Sequence, residues 1–194
     1  NSEINENGKI NPFNEYGRTK ALAEDVYRNW REKDPNNRSL IIVRPTVVFG
    51  EGNRGNVYNL LNQIHCGAFL MIGNGKNKKS MAYVENLSSF LLSCISSNEK
   101  YAAYNYVDKP DLSMNELVTL VNQKLHNNPS VGFRIPKSLG IFSGHLADLI
   151  SKLGLKLPLS SIRVKKFCAS TQYSSVKAFP EGFEAPYSLK EGLE

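Results

Sequence analysis

The chain has 194 residues, of which 41% are hydrophobic and 22% are charged. This balance is typical of a globular protein, and the length allows a sizeable core. The longest apolar runs, residues 40–43 and 69–72, are too short to cross a bilayer, so no membrane span is predicted. The net charge of +6 favours an anionic partner. We predict no nucleic-acid binding, because the cations are scattered rather than arranged in a stripe with interleaved aromatic residues.

The three cysteines, Cys66, Cys94 and Cys168, are widely spaced and lie among apolar residues. None of the spacings between them is typical of a metal site, so we predict buried free thiols and no bound metal. The polar N-terminal segment lacks the apolar core of a signal peptide. Together these features favour a cytoplasmic protein, because free thiols persist in a reducing compartment.

Helical and strand patterns alternate along the chain, which predicts an α/β fold. Helices are predicted at 16–33, 57–66, 84–96, 114–126, 138–153, 160–169 and 189–193. Strands are predicted at 40–43, 69–72, 80–83, 103–107 and 131–135. The continuous apolar run 40–43 is typical of a strand covered on both faces of a parallel sheet.

Two of these helices carry more specific signals. Ser113 and Glu116 have the spacing of a capping box, which predicts the start of helix 114–126. Apolar residues at helical spacing in helix 138–153 are predicted to pack inside a small lobe. They are Phe142, Leu146, Leu149, Ile150 and Leu153.

The most informative feature is the pair Tyr16 and Lys20, four residues apart at the start of helix 16–33. Residues at this spacing project from one helix face. A lysine ammonium next to a tyrosine phenol favours the phenolate, so the phenol can exchange a proton with a substrate alcohol near neutral pH. We therefore predict that this pair is catalytic.

The same spacing recurs at Tyr173 and Lys177. This second pair is followed directly by residues 179–182, Phe-Pro-Glu-Gly, which interrupt a helix. Because the spacing brings two side chains together only within a helix, we predict no catalytic role for the second pair.

A dinucleotide-binding unit normally starts with a strand, a Gly-x-Gly-x-x-Gly turn and a helix. Residues 50–55 fit this pattern formally. They follow Arg44, Pro45 and Thr46 rather than opening the unit, and no acidic residue closes a second strand about 20 residues later. We reject the segment as the cofactor fingerprint.

Four stretches together resemble the extended short-chain dehydrogenase/reductase family, in particular its NAD-dependent nucleotide-sugar epimerases, dehydratases and reductases. They are 16–24 (YGRTKALAE), 43–50 (VRPTVVFG), 72–87 with its GNGK and YVENL segments, and 188–193 (SLKEGL). The resemblance implies the C-terminal part of a Rossmann-like parallel sheet with a smaller α/β substrate-binding lobe. The Rossmann-like part would consist of residues 1–67 and 80–110. The substrate-binding lobe would consist of residues 68–79 and 111–194.

The resemblance also implies that the glycine-rich fingerprint and a catalytic Ser or Thr lie upstream of this chain, which would make it a fragment that is inactive alone. By the same resemblance, Tyr16 donates and accepts the proton and Lys20 also bonds the nicotinamide ribose. Pro45, Thr46 and Val48 would contact an NAD or NADP cofactor.

The resemblance places the sugar-nucleotide substrate near Arg54, Asn56, Val57, Met71 and Lys79. Many relatives have an arginine just before the stretch 83–86, where this chain reads Lys-Lys-Ser-Met at 78–81. Lys79 can supply a charge there, but it cannot form the bidentate contact of arginine with a phosphate. Arg134 is a further candidate for the diphosphate.

The implied function is oxidoreduction at C4 of a nucleoside-diphosphate sugar, by a 4-epimerase or a 4-keto reductase, with a homodimer formed through the Tyr16 helix. Two alternatives remain open at this point. The chain could be a folded, dimerising module without activity, or it could derive from a steroid-type dehydrogenase.

Overall fold

The computed structural model describes residues 3–12, 14–153, 155, 160–180 and 182–193. The helices are α1 (Glu15–Glu32), α2 (Asn56–His65), α3 (Val84–Ser96), α4 (Met114–His126), α5 (Lys137–Lys152) and α6 (Ser161–Cys168), followed by a 3-10 turn at Glu191–Leu193. The strands are β1 (Leu40–Pro45), β2 (Val47–Phe49), β3 (Met71–Ile72), β4 (Lys78–Tyr83), β5 (Tyr101–Tyr106), β6 (Asp108–Ser113) and β7 (Arg134–Ile135). The predicted α/β class is confirmed.

The strands form three small sheets. β1 pairs in parallel with β5, from Leu40 opposite Tyr101 to Pro45 opposite Tyr106. β2 pairs in parallel with β4, and β4 pairs antiparallel with β6. β3 and β7 form a third, parallel pair. Since β1 leads into β2 through Thr46 alone, the chain passes from the first sheet to the second at this residue.

Two hydrophobic clusters support these sheets. The first packs α2 and α4 against β2, β3, β4 and β6, and Ile64, Met71 and Val118 are among its most deeply buried side chains. The second surrounds Phe90 of α3, which packs against the rings of Tyr104 and Tyr106 on β5. The predicted division at residues 67, 80 and 110 stays a prediction, although the first cluster joins residues from both predicted parts.

Several predicted elements differ from the structure. The short β2 was missed, and so was β6, because Pro110 lies within it. β6 is the edge strand of its sheet, which is where proline is tolerated. The strands predicted at 69–72 and 131–135 have only two residues each in the structure, and the last predicted helix is a 3-10 turn.

The predicted capping box is confirmed, because Ser113 Oγ accepts a hydrogen bond from the Glu116 amide.

The cysteine prediction was partly wrong. Cys94 is buried and Cys168 is half-buried, but Cys66 is exposed because it follows the last turn of α2 at the surface. All three thiols are free. Within the described ranges, no helix combines the length and apolarity needed to cross a membrane.

The prediction for helix 138–153 was wrong about which face packs. The buried residues of α5 are Gly140, Gly144 and Ala147, whereas Phe142, Leu146, Leu149 and Leu153 are exposed. A Cβ atom built on Gly144 would lie 2.7 Å from Ser161 Cα and 2.8 Å from Ser161 N. Small residues therefore form the contact face, because only they let the backbone of α6 come this close.

We expect Gly144→Ala to destabilise the protein. The added methyl group must displace the Ser161 backbone, at a cost of about 1–3 kcal/mol, which outweighs the roughly 1 kcal/mol that alanine gains over glycine in a helix. Thermal unfolding measures the difference. Ser151→Ala, an exposed position of the same helix, is the control and should leave the midpoint nearly unchanged. A Gly144→Ala variant at least as stable as the wild type would contradict this packing.

Candidate active site

The pair Tyr16 and Lys20 lies in the first turns of α1. The side chain of Asn14 caps this helix by accepting a hydrogen bond of 2.8 Å from the Gly17 amide, and it thereby fixes where the helix begins. Lys20 Nζ lies 5.7 Å from the centroid of the Tyr16 ring, within the distance at which a cation interacts with an aromatic face. The prediction that the two side chains share one face is confirmed.

Both side chains are exposed in this chain, and Tyr16 has an exposed fraction of 71%. The neighbouring positions Gly17, Ala21 and Glu24 are half-buried and face the rest of the molecule. Tyr16 and Lys20 therefore project from the edge of the packed face, where a ligand can reach the phenol.

The second Tyr-x-x-x-Lys pair is arranged differently. Tyr173 forms an isolated bridge with Ile4 rather than a helical turn. Lys177 Nζ bonds Glu99 at 2.8 Å and lies 5.4 Å from the centre of the Tyr104 ring. The prediction that no helix joins Tyr173 to Lys177 is confirmed.

An ion pair that was not predicted connects α1 to β1. The Arg44 guanidinium donates to both carboxylate oxygens of Glu24, from Nε to Oε1 at 2.8 Å and from Nη2 to Oε2 at 2.6 Å. Arg28 adds a contact of 3.2 Å to the same carboxylate. The hydrogen bond from Arg44 is the main reason why the pKa of Glu24 is lowered, and the carboxylate in turn raises the pKa of Arg44.

A sequence signal for this pair exists. Arg44 directly follows the continuous apolar run 40–43, and a charge next to a buried strand requires an anionic partner. Glu24 is on the same helix face as Gly17 and Ala21 and meets this requirement. Arg44 was predicted only as part of a family stretch, without a partner.

At the end of β1, Thr46 lies where the chain changes sheets. Its amide donates to the carbonyl of Tyr106 at the end of β5, at 3.0 Å. Among the residues that the structure describes, Thr46 Oγ1 is one of the few buried polar side-chain atoms without a hydrogen-bond partner. Such an atom is normally satisfied, and it is at the carboxyl end of parallel strands, where α/β sheets bind ligands. This hydroxyl fits a predicted cofactor contact.

The loop 50–55 closes against this strand exit. Gly50 has φ 149°, and a Cβ there would lie 2.2 Å from Val84 Cγ1 at the start of α3. Only glycine allows this approach. Asn53 Nδ2 donates to the Val48 carbonyl at 3.1 Å. Pro45 is exposed and Val48 is half-buried, and their cofactor roles stay predictions.

The structure separates the predicted substrate residues into two groups. Arg54 and Asn56, at the start of α2, are exposed. Val57 and Met71 have exposed fractions of 6% and 0% and belong to the first hydrophobic cluster. Their side chains are thus occupied by core packing, which leaves only their backbone atoms for a ligand.

Lys79 is engaged within the protein. Its ammonium donates to the carbonyls of Lys166 at 2.9 Å and Ala169 at 2.5 Å, at the C-terminal end of α6. Burial lowers the pKa of Lys79. Arg134 is similarly bonded to the Asn74 carbonyl at 2.6 Å. Lys79 must leave these carbonyls before it can bind a diphosphate, whereas the exposed guanidinium of Arg134 keeps further N–H groups for an anion.

A polar cleft of about 370 Å³ lies beside Lys79. Its walls come from the end of β3, the loop after it, the start of α5 and the segment after α6. Two exposed lysines, Lys76 and Lys137, line it together with Ile72, Gly73, Asn74, Asn77, Cys168 and Ser170. None of the predicted catalytic or cofactor residues lines this cleft. Sequence reasoning missed Lys137, because only the fold brings it to Lys76.

In the described part of the chain, no group of His, Cys, Asp or Glu side chains could hold a metal ion.

Comparisons with known proteins identify the family of the chain. A sequence profile of the NAD dependent epimerase/dehydratase family matches residues 1–106. The chain is 51% identical over 193 residues to the N-acetyl-alpha-D-glucosaminyl-diphospho-ditrans,octacis-undecaprenol 4-epimerase of Escherichia coli O157:H7, with 97% of this chain and 57% of that protein covered. The chain thus spans little more than half the length of this relative.

Solved structures show the same fold at low sequence identity. MoeE5 in complex with UDP-glucose and NAD matches with a TM-score of 0.65 and 19% identity, covering 98% of this chain and 56% of that one. The UDP-N-acetylglucosamine 4-epimerase from Bacillus cereus matches with a TM-score of 0.69 and 14% identity, at coverages of 98% and 56%.

The parallel strands, the strand exit at Thr46 and the Tyr16–Lys20 helix define a Rossmann-like α/β protein. The chain belongs to the NAD-dependent epimerase/dehydratase family. The resemblance seen in the sequence is confirmed.

We expect Glu24→Gln to destabilise the protein by about 1–3 kcal/mol, because it leaves the Arg44 guanidinium half-buried without its anion. Since the pKa of Glu24 is lowered in the folded state, its contribution is complete above the unfolded pKa of about 4.3 and is lost as pH falls through the folded pKa. The difference in unfolding free energy between the wild type and Glu24→Gln should therefore disappear at acid pH.

Urea unfolding of the wild type and of Glu24→Gln, at pH values from neutral down to about 3, measures this difference in free energy. Glu15→Gln is the matched control, because the Glu15–Arg18 pair lies on the same helix with exposed fractions of 80% and 56%. An exposed pair of this kind contributes about 0–1 kcal/mol. Equal effects of the two variants would show that the Glu24–Arg44 pair does not hold α1 in place.

Proposed function

We propose that the full-length protein is an NAD-dependent 4-epimerase of a sugar attached to a diphosphate. The observation that carries the proposal is the Tyr16–Lys20 pair on one face of α1, on a helix that Glu24 and Arg44 fix to β1. Family membership supports it, and so do the 4-epimerase names of two similar proteins.

In this proposal the Tyr16 hydroxyl passes a proton to and from the oxygen at sugar C4. Lys20 stabilises the phenolate while the proton is on the substrate. When bound, the nicotinamide cofactor supplies the redox chemistry at the same carbon. The backbone of Pro45 and Val48 and the hydroxyl of Thr46 would hold it, and the unsatisfied Thr46 Oγ1 supports this assignment.

For the substrate, Arg54 and Asn56 are the exposed candidates at the start of α2. Val57 and Met71 would contribute through their backbone. A diphosphate could also draw Lys79 away from the carbonyls that it binds in this structure, with Lys76 and Lys137 close by in the polar cleft.

A 4-keto reductase is the second candidate, because it would need the same proton donor. The two activities differ in the fate of the cofactor, since an epimerase returns it to its starting oxidation state within each turnover. The free cysteines support a cytoplasmic location for either enzyme.

We further propose that the full-length protein forms a homodimer through α1. This helix has no fully buried residue, and it exposes Leu22 at 50%, Val26 at 65% and Trp30 at 44%. These three side chains lie on the face away from Glu24 and β1, so a second copy could cover them.

Replacing Tyr16 by Phe should reduce the turnover number of the full-length enzyme by about 10²–10⁴-fold, because the proton donor is lost. The side chain is largely exposed, so the unfolding midpoint should hardly move. Conversion of the diphosphate-linked sugar, followed by chromatography of the two epimers, measures turnover. Tyr173→Phe is the control and should retain activity. Normal turnover by Tyr16→Phe would refute the catalytic assignment.

Val26→Glu should weaken the proposed dimer, because it places a charge in an apolar interface. Analytical ultracentrifugation of the full-length protein should show a shift towards the monomer. Leu92→Glu, on α3 and also 65% exposed, is the matched control and should behave as the wild type does. An unchanged dimer in Val26→Glu would exclude this face of α1 as the contact.

A further inference from the structure

Two lysines without a partner lie at the polar cleft beside α5. Lys76, in the loop after β3, and Lys137, the first residue of α5, line this cleft of about 370 Å³, and both are exposed. Among the described residues, neither ammonium group has a hydrogen-bond or ion-pair partner, and none of the residues that line the cleft is acidic. Two cations at one cleft without a counter-charge favour an anionic ligand.

Two further side chains complete the polar lining. Asn77 has an exposed fraction of 9%, and its Nδ2 donates to the Phe167 carbonyl at 2.7 Å. This contact fixes the orientation of the amide, so that Oδ1 is an acceptor that no described residue satisfies. Ser170 Oγ accepts from the Lys78 amide at 3.2 Å, and its O–H group remains free to donate. The cleft therefore offers donors to an anion and one acceptor to a hydroxyl or N–H group of the same ligand.

The start of α5 adds to the positive potential of the cleft. Pro136 is the N-cap residue, and the first turn has neither a side-chain cap nor an acidic residue. The N–H groups of an uncapped first turn carry partial positive charge. Because Lys137 belongs to this turn and lines the cleft, an anion bound there is stabilised by the helix as well as by the lysines.

Lys79 lies next to the cleft, but its ammonium group already has partners. It donates to the carbonyls of Lys166 and Ala169 at the end of α6. Binding an anion through Lys79 would break these hydrogen bonds, whereas Lys76 and Lys137 can bind one without losing a contact. A diphosphate carries at least two negative charges, which two lysines can neutralise.

We propose that this cleft binds the diphosphate of the substrate, and that Lys76 and Lys137 rather than Lys79 are its cationic contacts. Asn77 Oδ1 accepts a hydrogen bond from the group next to the diphosphate. This assignment deepens the proposed function and rests on it only for the source of the diphosphate. A free anion of the same chemistry would use the same lysines, so binding and kinetic measurements are both needed.

Binding of inorganic pyrophosphate to the full-length protein, saturated with NAD, tests the site. In isothermal titration calorimetry, Lys76→Gln and Lys137→Gln should each raise the Kd at least about fivefold, because each removes a charge-assisted contact. Lys152→Gln is the matched control, since it removes the same charge at the other end of α5. It should bind as the wild type does. The proposal is wrong if the wild type does not bind pyrophosphate, or if the three lysine variants bind it equally well.

Alkylation of the cysteines locates the bound anion. Cys168 lines the cleft close to Lys137, because a Cβ built on Gly73 would lie 3.8 Å from Cys168 Sγ and 3.7 Å from Lys137 Cβ. Pyrophosphate should slow the reaction of Cys168 with iodoacetamide, since a nearby anion blocks the thiol and disfavours its thiolate.

The exposed Cys66 is the internal control and should react at an unchanged rate. Potassium chloride at the same ionic strength should protect neither thiol. Mass spectrometry of the two peptides measures both rates. Equal rates for Cys168 with and without pyrophosphate would place the anion outside the cleft and overturn the proposal.

Kinetics with the diphosphate-linked sugar assign the source of the diphosphate. Lys137→Gln should raise the KM at least about fivefold with little change in kcat, because the contact is present in the ground state and the transition state alike. Pyrophosphate should inhibit the wild type competitively. An unchanged KM with non-competitive inhibition would overturn the assignment to the substrate and make the cleft a site for a separate anion. Tyr16→Phe should still bind pyrophosphate, so a failure of the catalytic assignment is distinguishable from a failure of this one.

Discussion

The position of the candidate active site depends on one bidentate ion pair, Glu24 with Arg44. Helix α1 has no fully buried residue, so apolar burial contributes little to holding it in place. The two hydrogen bonds of 2.8 and 2.6 Å instead tie its half-buried side to β1. Because the guanidinium fork and the carboxylate are planar, the pair sets the rotation of the helix as well as its distance. Tyr16 and Lys20 take their direction from this contact.

The second constraint on the site is the short junction between β1 and β2, at Thr46, two residues after Arg44. Thr46 is the only residue between β1 and β2, and its amide is held by the Tyr106 carbonyl. The ion pair that orients the Tyr16 helix thus lies two residues from the unsatisfied Thr46 hydroxyl. The proton-transfer pair and the candidate cofactor contact are therefore linked through a short, rigid stretch of backbone.

A buried polar network holds the C-terminal segment to the same part of the fold. Asp108 accepts hydrogen bonds from the Tyr83 amide at 2.6 Å and from the Tyr106 hydroxyl at 3.0 Å. Burial is the main cause of its raised pKa. Asn86, in the first turn of α3, exchanges two hydrogen bonds with the backbone of Tyr187. These contacts fix the β4–α3 junction next to Gly50, and they join residues that are far apart in sequence.

The sequence by itself determined the local features: the alternation of helices and strands, the capping box at Ser113, and the shared face of Tyr16 and Lys20. These follow from spacings of three and four residues within one element, which the backbone geometry fixes. Only the tertiary structure decided that Arg44 meets Glu24, that Lys79 binds carbonyls and that Lys137 joins Lys76 at a cleft. It also decided which side of α5 faces outwards. Periodicity predicts that a helix has an apolar stripe, but whether that stripe or a row of glycines meets the neighbouring helix depends on how closely the two backbones approach.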